Sequence, residues 1–180
     1  MFYFVIAATV VAGIAAITDW RTGHIPNFLT FGVLAVAPIV HFVIGCVLGG
    51  WRGGLWELGF SLMGALLCAL GPGIMWFLGA IGGGDIKLFA AIGALCLYMT
   101  GLQIETYAFV AAVLIAPAQL AYKGVLFKTL GRSLNLFLNL FRRKANRKEV
   151  PPELMTWFRL GPAIFLGAAT GILAHWGEMP

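Results

Sequence analysis

Apolar residues run in long blocks at 2–18, 28–48, 55–81, 86–103, 105–124 and 160–177. Each block is close to the roughly 20 residues that cross a bilayer as a helix. Short polar or glycine-rich stretches separate the blocks, so the pattern predicts six transmembrane helices packed as a bundle. Gly71, Pro72 and Gly73 interrupt the third block, and the piece beyond them is too short to cross alone. A kink is expected there rather than another crossing. Pro38 and Pro117 are expected to bend helices two and five. Pro162 falls in the first turn of the sixth, where its missing N–H costs little. Between the last two blocks, Phe127, Leu130, Leu134, Leu138 and Phe141 recur at helical spacing, mostly opposite Lys128, Arg132, Asn135, Asn139 and Arg142. That spacing predicts a basic amphipathic helix on an anionic inner leaflet, with a partner-docking surface as the alternative, and residues 142–153 read as a solvated loop. The expected class is an all-α integral membrane protein: a six-transmembrane-helix bundle with a cytoplasmic basic amphipathic segment at 125–159. Residues 1–180 are expected to form a single membrane-embedded domain.

Composition agrees with the pattern, since 61% of the 180 residues are hydrophobic and 11% are charged, far from the balance of a water-soluble domain. The first apolar block lacks a basic segment before it, and its first cation, Arg21, follows it. It therefore reads as a retained helix with its N-terminus outside the cytoplasm, not as a signal peptide. With that orientation, eleven of the twelve Lys and Arg residues fall in the inside segments 19–27, 82–87 and 123–159, and only Arg52 lies outside. The net charge of +5 thus follows the rule for cationic cytoplasmic loops, so no nucleic-acid partner is expected and both termini are expected to be external. Cys46, Cys68 and Cys96 stand alone in apolar runs, without metal-ligand or disulfide spacing. They read as small core residues, and neither a metal nor another cofactor is expected.

The acidic residues differ in placement. Glu57, Glu105 and Glu178 are expected at external helix ends, and Glu149 and Glu153 in the polar loop, all within reach of water. Asp19 closes the first helix and Asp85 opens the fourth, which puts both at the cytoplasmic side by parity of crossings. Carboxylates at a bilayer edge are costly and need a reason. Two that face each other divide the work of acid and base, one anionic and one protonated. The anion can take a proton from a water attacking a peptide carbonyl, and the acid can polarise the carbonyl and protonate the leaving nitrogen. Gly82, Gly83 and Gly84, just before Asp85, allow close approach and unusual dihedrals; a flexible turn with tight helix contact explains them equally well.

The stretch "DWRTGHIPN", with Asp19, Arg21, Ile25, Pro26 and Asn27, resembles the first-aspartate motif of type IV prepilin peptidases. "GGGDIK", with Gly82, Gly84, Asp85 and Lys87, is similar to their GxGD motif with its following lysine. "RLGPAIFLGA", with Gly161 and Pro162, is similar to the Gly-Pro opening of their last helix. The resemblance implies a membrane aspartic endopeptidase with Asp19 and Asp85 as the catalytic pair, removing the short basic leader from type IV prepilins at the cytoplasmic face of the bacterial inner membrane. Its implied partners are that leader peptide and the lipid bilayer. Larger members add an N-terminal cytoplasmic domain with cysteine pairs, so the expectation is the small, peptidase-only branch that serves Flp-type pili. Asn27 stands where many larger members carry Asp.

Lys87 sits two positions from Asp85, a spacing that does not face it on a helix. Lipid contact and orientation of the dyad or substrate are both open to it. His24 reads as an interfacial residue, with a proton shuttle as the alternative, and His41 and His175 read as structural or interfacial residues. The pairs Gly45/Gly49 and Gly167/Gly171 have the spacing of close helix contacts. A transporter or assembly subunit that binds protons or cations at Asp19 and Asp85 is the alternative function. Transporters favour acids near the midplane and internal repeats, and this chain shows neither. Oligomeric state is not legible in the sequence.

Overall fold

A computed structural model describes residues 2–78, 80–122 and 159–178. The described residues are helical apart from short links: α1 (Phe2–Thr22), α2 (Asn27–Phe77), α3 (Gly83–Tyr122), α4 (Gly161–Ala174) and a closing 3-10 turn, Trp176–Glu178. Three of these, Phe2–Thr22, Asn27–Phe77 and the Gly83–Pro117 part of α3, are long and apolar enough to cross a membrane, and Gly161–Ala174 is a shorter apolar helix. Leu, Ile, Phe and Trp side chains along α1 and α2 stay exposed, as expected of surfaces solvated by lipid. One compact unit comprises residues 1–112 and 159–180; a second comprises 113–158. The amphipathic segment expected at 127–141 and the loop at 142–153 lie outside the described residues.

A straight 51-residue helix would run about 75 Å, far beyond the ~30 Å hydrocarbon core. α2 instead doubles back where Gly49 and Gly50 leave the helical region, Gly50 at φ 63° and ψ −165°. Phe42 then meets Trp51 edge-on at 5.3 Å, and His41 Nδ1 faces Glu57 Oε2 at 3.6 Å. Gly45 lies against the Gly53 carbonyl, where a side chain on either residue would hold the two arms apart. α3 breaks in the same way at Leu97, φ 58° and ψ 175°, and Phe89 stacks on Phe109 across the fold at 5.4 Å. Each long helix is therefore two arms: 27–48 with 51–77, and 83–96 with 98–122.

The second break falls six or more residues before the expected boundary at 103–105, which corrects the placement of Glu105. It does not sit at a water-facing end. It is buried, hydrogen-bonded to the Cys68 thiol, with Oε2 lacking a hydrogen-bond partner among the described residues. Gly71 makes room for it, since a Cβ there would lie 2.8 Å from Glu105 Oε1. The Gly71–Gly73 triplet keeps helical dihedrals, with Pro72 buried inside α2, so the departures from helix within α2 and α3 lie at Gly49, Gly50 and Leu97 instead. Pro38 and Pro117 also lie within helices, and Pro162 occupies the first turn of α4.

Candidate active site

Alanine and valine line one face of α1: Val5, Ala8, Ala12, Ala15 and Ala16 are buried, and Asp19 continues their stripe at helical spacing. Small side chains let α4 approach closely, which leaves the carboxylate buried where a longer neighbour would have held it in solvent. The first residue of α4 then meets it directly. Gly161 N–H donates to Asp19 Oδ2 at 3.2 Å, and a Cβ on Gly161 would lie 2.8 Å from that oxygen. Arg159, just before α4, donates to the Trp20 carbonyl, one of those left open as α1 ends. Gly23 closes α1 in the left-handed region, φ 71°, with its N–H on the Asp19 carbonyl at 2.9 Å.

Asp85 stands in the first turn of α3. Gly82 N–H donates to Asp85 Oδ2 at 3.1 Å, and Asp85 N–H donates back to the Gly82 carbonyl at 3.2 Å. The side-chain bond is the N3-to-N-cap half of a capping box; with the backbone turn it fixes the carboxylate and gives both N–H groups a partner at the helix start. The two strands of the site touch through the link after α1. Ile25 packs where a Cβ on Gly84 would lie 3.3 Å from its own Cβ. The Pro26 carbonyl accepts from Leu29 and Thr30 to start α2, whose first residue, Asn27, accepts from Lys87 Nζ at 2.9 Å.

Asp19 and Asp85 are thus both buried, come from different helices, and lie within electrostatic reach of each other. Each is held through Oδ2 by a backbone N–H, and Oδ1 of each has no hydrogen-bond partner among the described residues. An open groove of about 380 Å³ is lined by Ala16, Ile17, Trp20 and Arg21 of α1 and Pro162 of α4, and neither aspartate lines it. A family model described as the type IV leader peptidase family matches residues 6–117, a stretch that contains both aspartates. The chain belongs to the type IV leader peptidase family. No curated protein and no solved structure matches it.

Membership makes this chain a protease, and its span-capable helices make it a membrane protein. In this leader peptidase the expected site residues separate into groups. Asp19 meets Gly161, the residue before Pro162; Ile25 meets Gly84; Asn27 meets Lys87; and Asp85 meets Gly82. Gly83 lies instead near Trp76, 3.7 Å from Nε1 to a Cβ there, and Arg21 is exposed on the groove. His24 is exposed and bonds locally to Thr22, whereas His41 is buried, stacks on Phe4 and donates from Nε2 to the Leu95 carbonyl at 2.9 Å. Among the described residues no three His, Cys, Asp or Glu side chains group to hold a metal ion. Sequence reading missed the role of Arg159; its position two residues before Gly161 was the available signal.

Proposed function

We propose that this leader peptidase is an aspartic endopeptidase of the bacterial inner membrane. It cuts the short basic leader from type IV prepilins of the Flp type at the cytoplasmic face. The observation that carries the reading is the buried pair Asp19 and Asp85, each anchored by one oxygen, with no hydrogen-bond partner on the other among the described residues. The proposed chemistry uses the two carboxyl groups in complementary states. One, as the anion, removes a proton from a water whose oxygen attacks the scissile carbonyl carbon. The other, protonated, donates to the carbonyl oxygen, and the leaving nitrogen takes the proton that the first carboxylate drew from the water as the peptide C–N bond breaks. Gly84 leaves the space that Ile25 fills, and the Gly82 N–H holds the Asp85 side chain in place. The motif blocks around Asp19, Asp85 and Gly161 support a prepilin leader as the substrate.

In this reading six helical arms occupy the membrane, with both termini outside the cytoplasm; the distribution of Lys and Arg supports the orientation. The test uses purified enzyme in liposomes with a Flp-type prepilin, following the loss of its leader. Asp19→Asn and Asp85→Asn should each abolish cleavage while still inserting into the membrane. The double variant should be no worse than either single one, because the pair acts as a unit. Near-normal turnover by either single variant would show the dyad to be wrongly assigned.

A further inference from the structure

Lys87 follows Asp85 by two residues, yet its partners lie on another helix. Its ammonium donates to Asn27 Oδ1 at 2.9 Å and sits 4.9 Å from the centre of the Phe31 ring. Asn27 and Phe31 are one turn apart at the start of α2, so hydrogen bond and cation–π contact grip the same turn. On the other side of Asp85, Gly84 rests against Ile25, in the link that joins α1 to α2. Asp85 is therefore bracketed by two contacts, at 84 and 87, with the chain that leads directly from Asp19 through Gly23 to Asn27. The capping bond from Gly82 fixes the Asp85 side chain within its own helix, but it cannot fix that helix against α1.

We propose that Lys87 and Asn27 form a latch that sets the start of α3 against the end of α1, and so sets Asp85 against Asp19. The inference rests on the aspartic-peptidase reading. Lys87 is a positioning residue in it, acting on the dyad through the link 23–27. Asn27 is exposed, and Phe31 is an exposed aromatic beside it, so the latch is partly solvated. Its loss should leave the chain folded while letting the two helix ends drift. Drift of that kind costs turnover more than binding, because a misplacement of about 1 Å can cost ~100-fold in rate.

The experiment measures kcat and KM for prepilin cleavage in liposomes with Lys87→Met, Asn27→Ala, their double variant, Lys87→Arg and Asn27→Asp. Lys87→Met keeps the apolar stem over Phe31 and removes only the charge and donor. The expected result is a fall in kcat of about 10- to 100-fold in Lys87→Met and Asn27→Ala, with KM unchanged. The double variant should match Lys87→Met, which already removes both the hydrogen bond and the cation–π contact. Lys87→Arg and Asn27→Asp should recover most of the rate, because each keeps a donor facing an acceptor. Amide hydrogen exchange over 23–27 and 82–87 should speed up in the first three variants and return to the wild-type rate in the last two. Unchanged kcat, a rise in KM alone, or additive losses would overturn the latch. So would unaltered exchange, a readout that stands even where a variant or the wild type cleaves nothing. A wild-type enzyme that leaves prepilin intact would instead count against the peptidase substrate proposed above.

Discussion

Gly161 shows how closely the Asp19 carboxylate is held. The glycine supplies an N–H to Oδ2, and its missing side chain makes space for that bond, since a Cβ would also lie 3.2 Å from the Ala16 Cα. Gly161→Ala must therefore push α4 away from α1 or turn the Asp19 side chain out of its seat. Either response moves the carboxylate by a substantial fraction of an ångström. The expected outcome is a loss of cleavage rate on the order of 100-fold. Overpacking should lower stability by about 1–3 kcal/mol, so the chain should still insert and fold. Single-turnover cleavage with a thermal unfolding curve separates the two effects; a rate within twofold of wild type would remove Gly161 from the site. Much of this was legible in the residues. Asp19, Asp85 and Gly161 stand in recognisable blocks, because chemistry and close approach constrain residue type directly. The contacts of Arg159 with the Trp20 carbonyl and of Lys87 with Asn27 were not legible. Long flexible side chains can reach many partners, and spacing along the chain does not choose among them.

Among the elements, the arm 83–96 shows most about what a membrane demands of its backbone. Fourteen helical residues rise about 21 Å, short of the ~30 Å hydrocarbon core, so the reversal at Leu97 falls at a depth where water is scarce. A break there releases the last carbonyls of the arm, and they must find partners within the protein. Two side chains from α2 meet the need. Ser61 Oγ donates to the Ala94 carbonyl at 2.7 Å, and His41 Nε2 donates to the Leu95 carbonyl at 2.9 Å. Both are buried. Leu97 itself holds a backbone conformation that normally favours glycine, at a cost of about 1–3 kcal/mol, so neighbouring contacts must hold the turn in place. Ser61→Ala should leave the Ala94 carbonyl bare and destabilise the fold by about 1 kcal/mol, read as a lower midpoint of unfolding in detergent. No change in that midpoint would show that the hydroxyl does not cap the arm. This turn was invisible to hydropathy, which places helix ends at polar residues. Gln103 and Glu105 therefore drew the expected boundary six or more residues too far along. The true break lies inside an unbroken apolar run, and its partners come from another helix 33 and 54 residues away in sequence. Glu105 consequently ends about 12 Å beyond the turn, buried rather than wet.

For the whole chain, the placement of charge and the path of the helices lead to one orientation. The link after α1 and the start of α3 meet at one end, as Ile25 against Gly84 and Asn27 against Lys87 require. The Gly49–Gly50 turn lies between arms of 22 and 27 residues that lead away from that end, so it belongs at the opposite side. Arg21, Lys87 and Arg159 accompany the site end, whereas Arg52 accompanies the turn. Positive charge is retained on the cytoplasmic side, so the aspartates should face the cytoplasm and the Gly49–Gly50 turn should face outward. Of the free cysteines, Cys68 and Cys96 are buried, so replacing Cys46 with alanine gives a background for single-cysteine probes. In intact cells, a cysteine placed at Arg52 should react with a membrane-impermeant maleimide added outside. A cysteine placed at His24 should react only after the membrane is opened. Both positions are exposed, so accessibility of the side chain itself does not limit the reaction. The opposite labelling pattern would put the aspartates outside, where a basic leader on a newly made precursor could not reach them before crossing. That result would overturn the orientation and the proposed cytoplasmic cleavage together, while leaving the geometry of Asp19 and Asp85 as it stands.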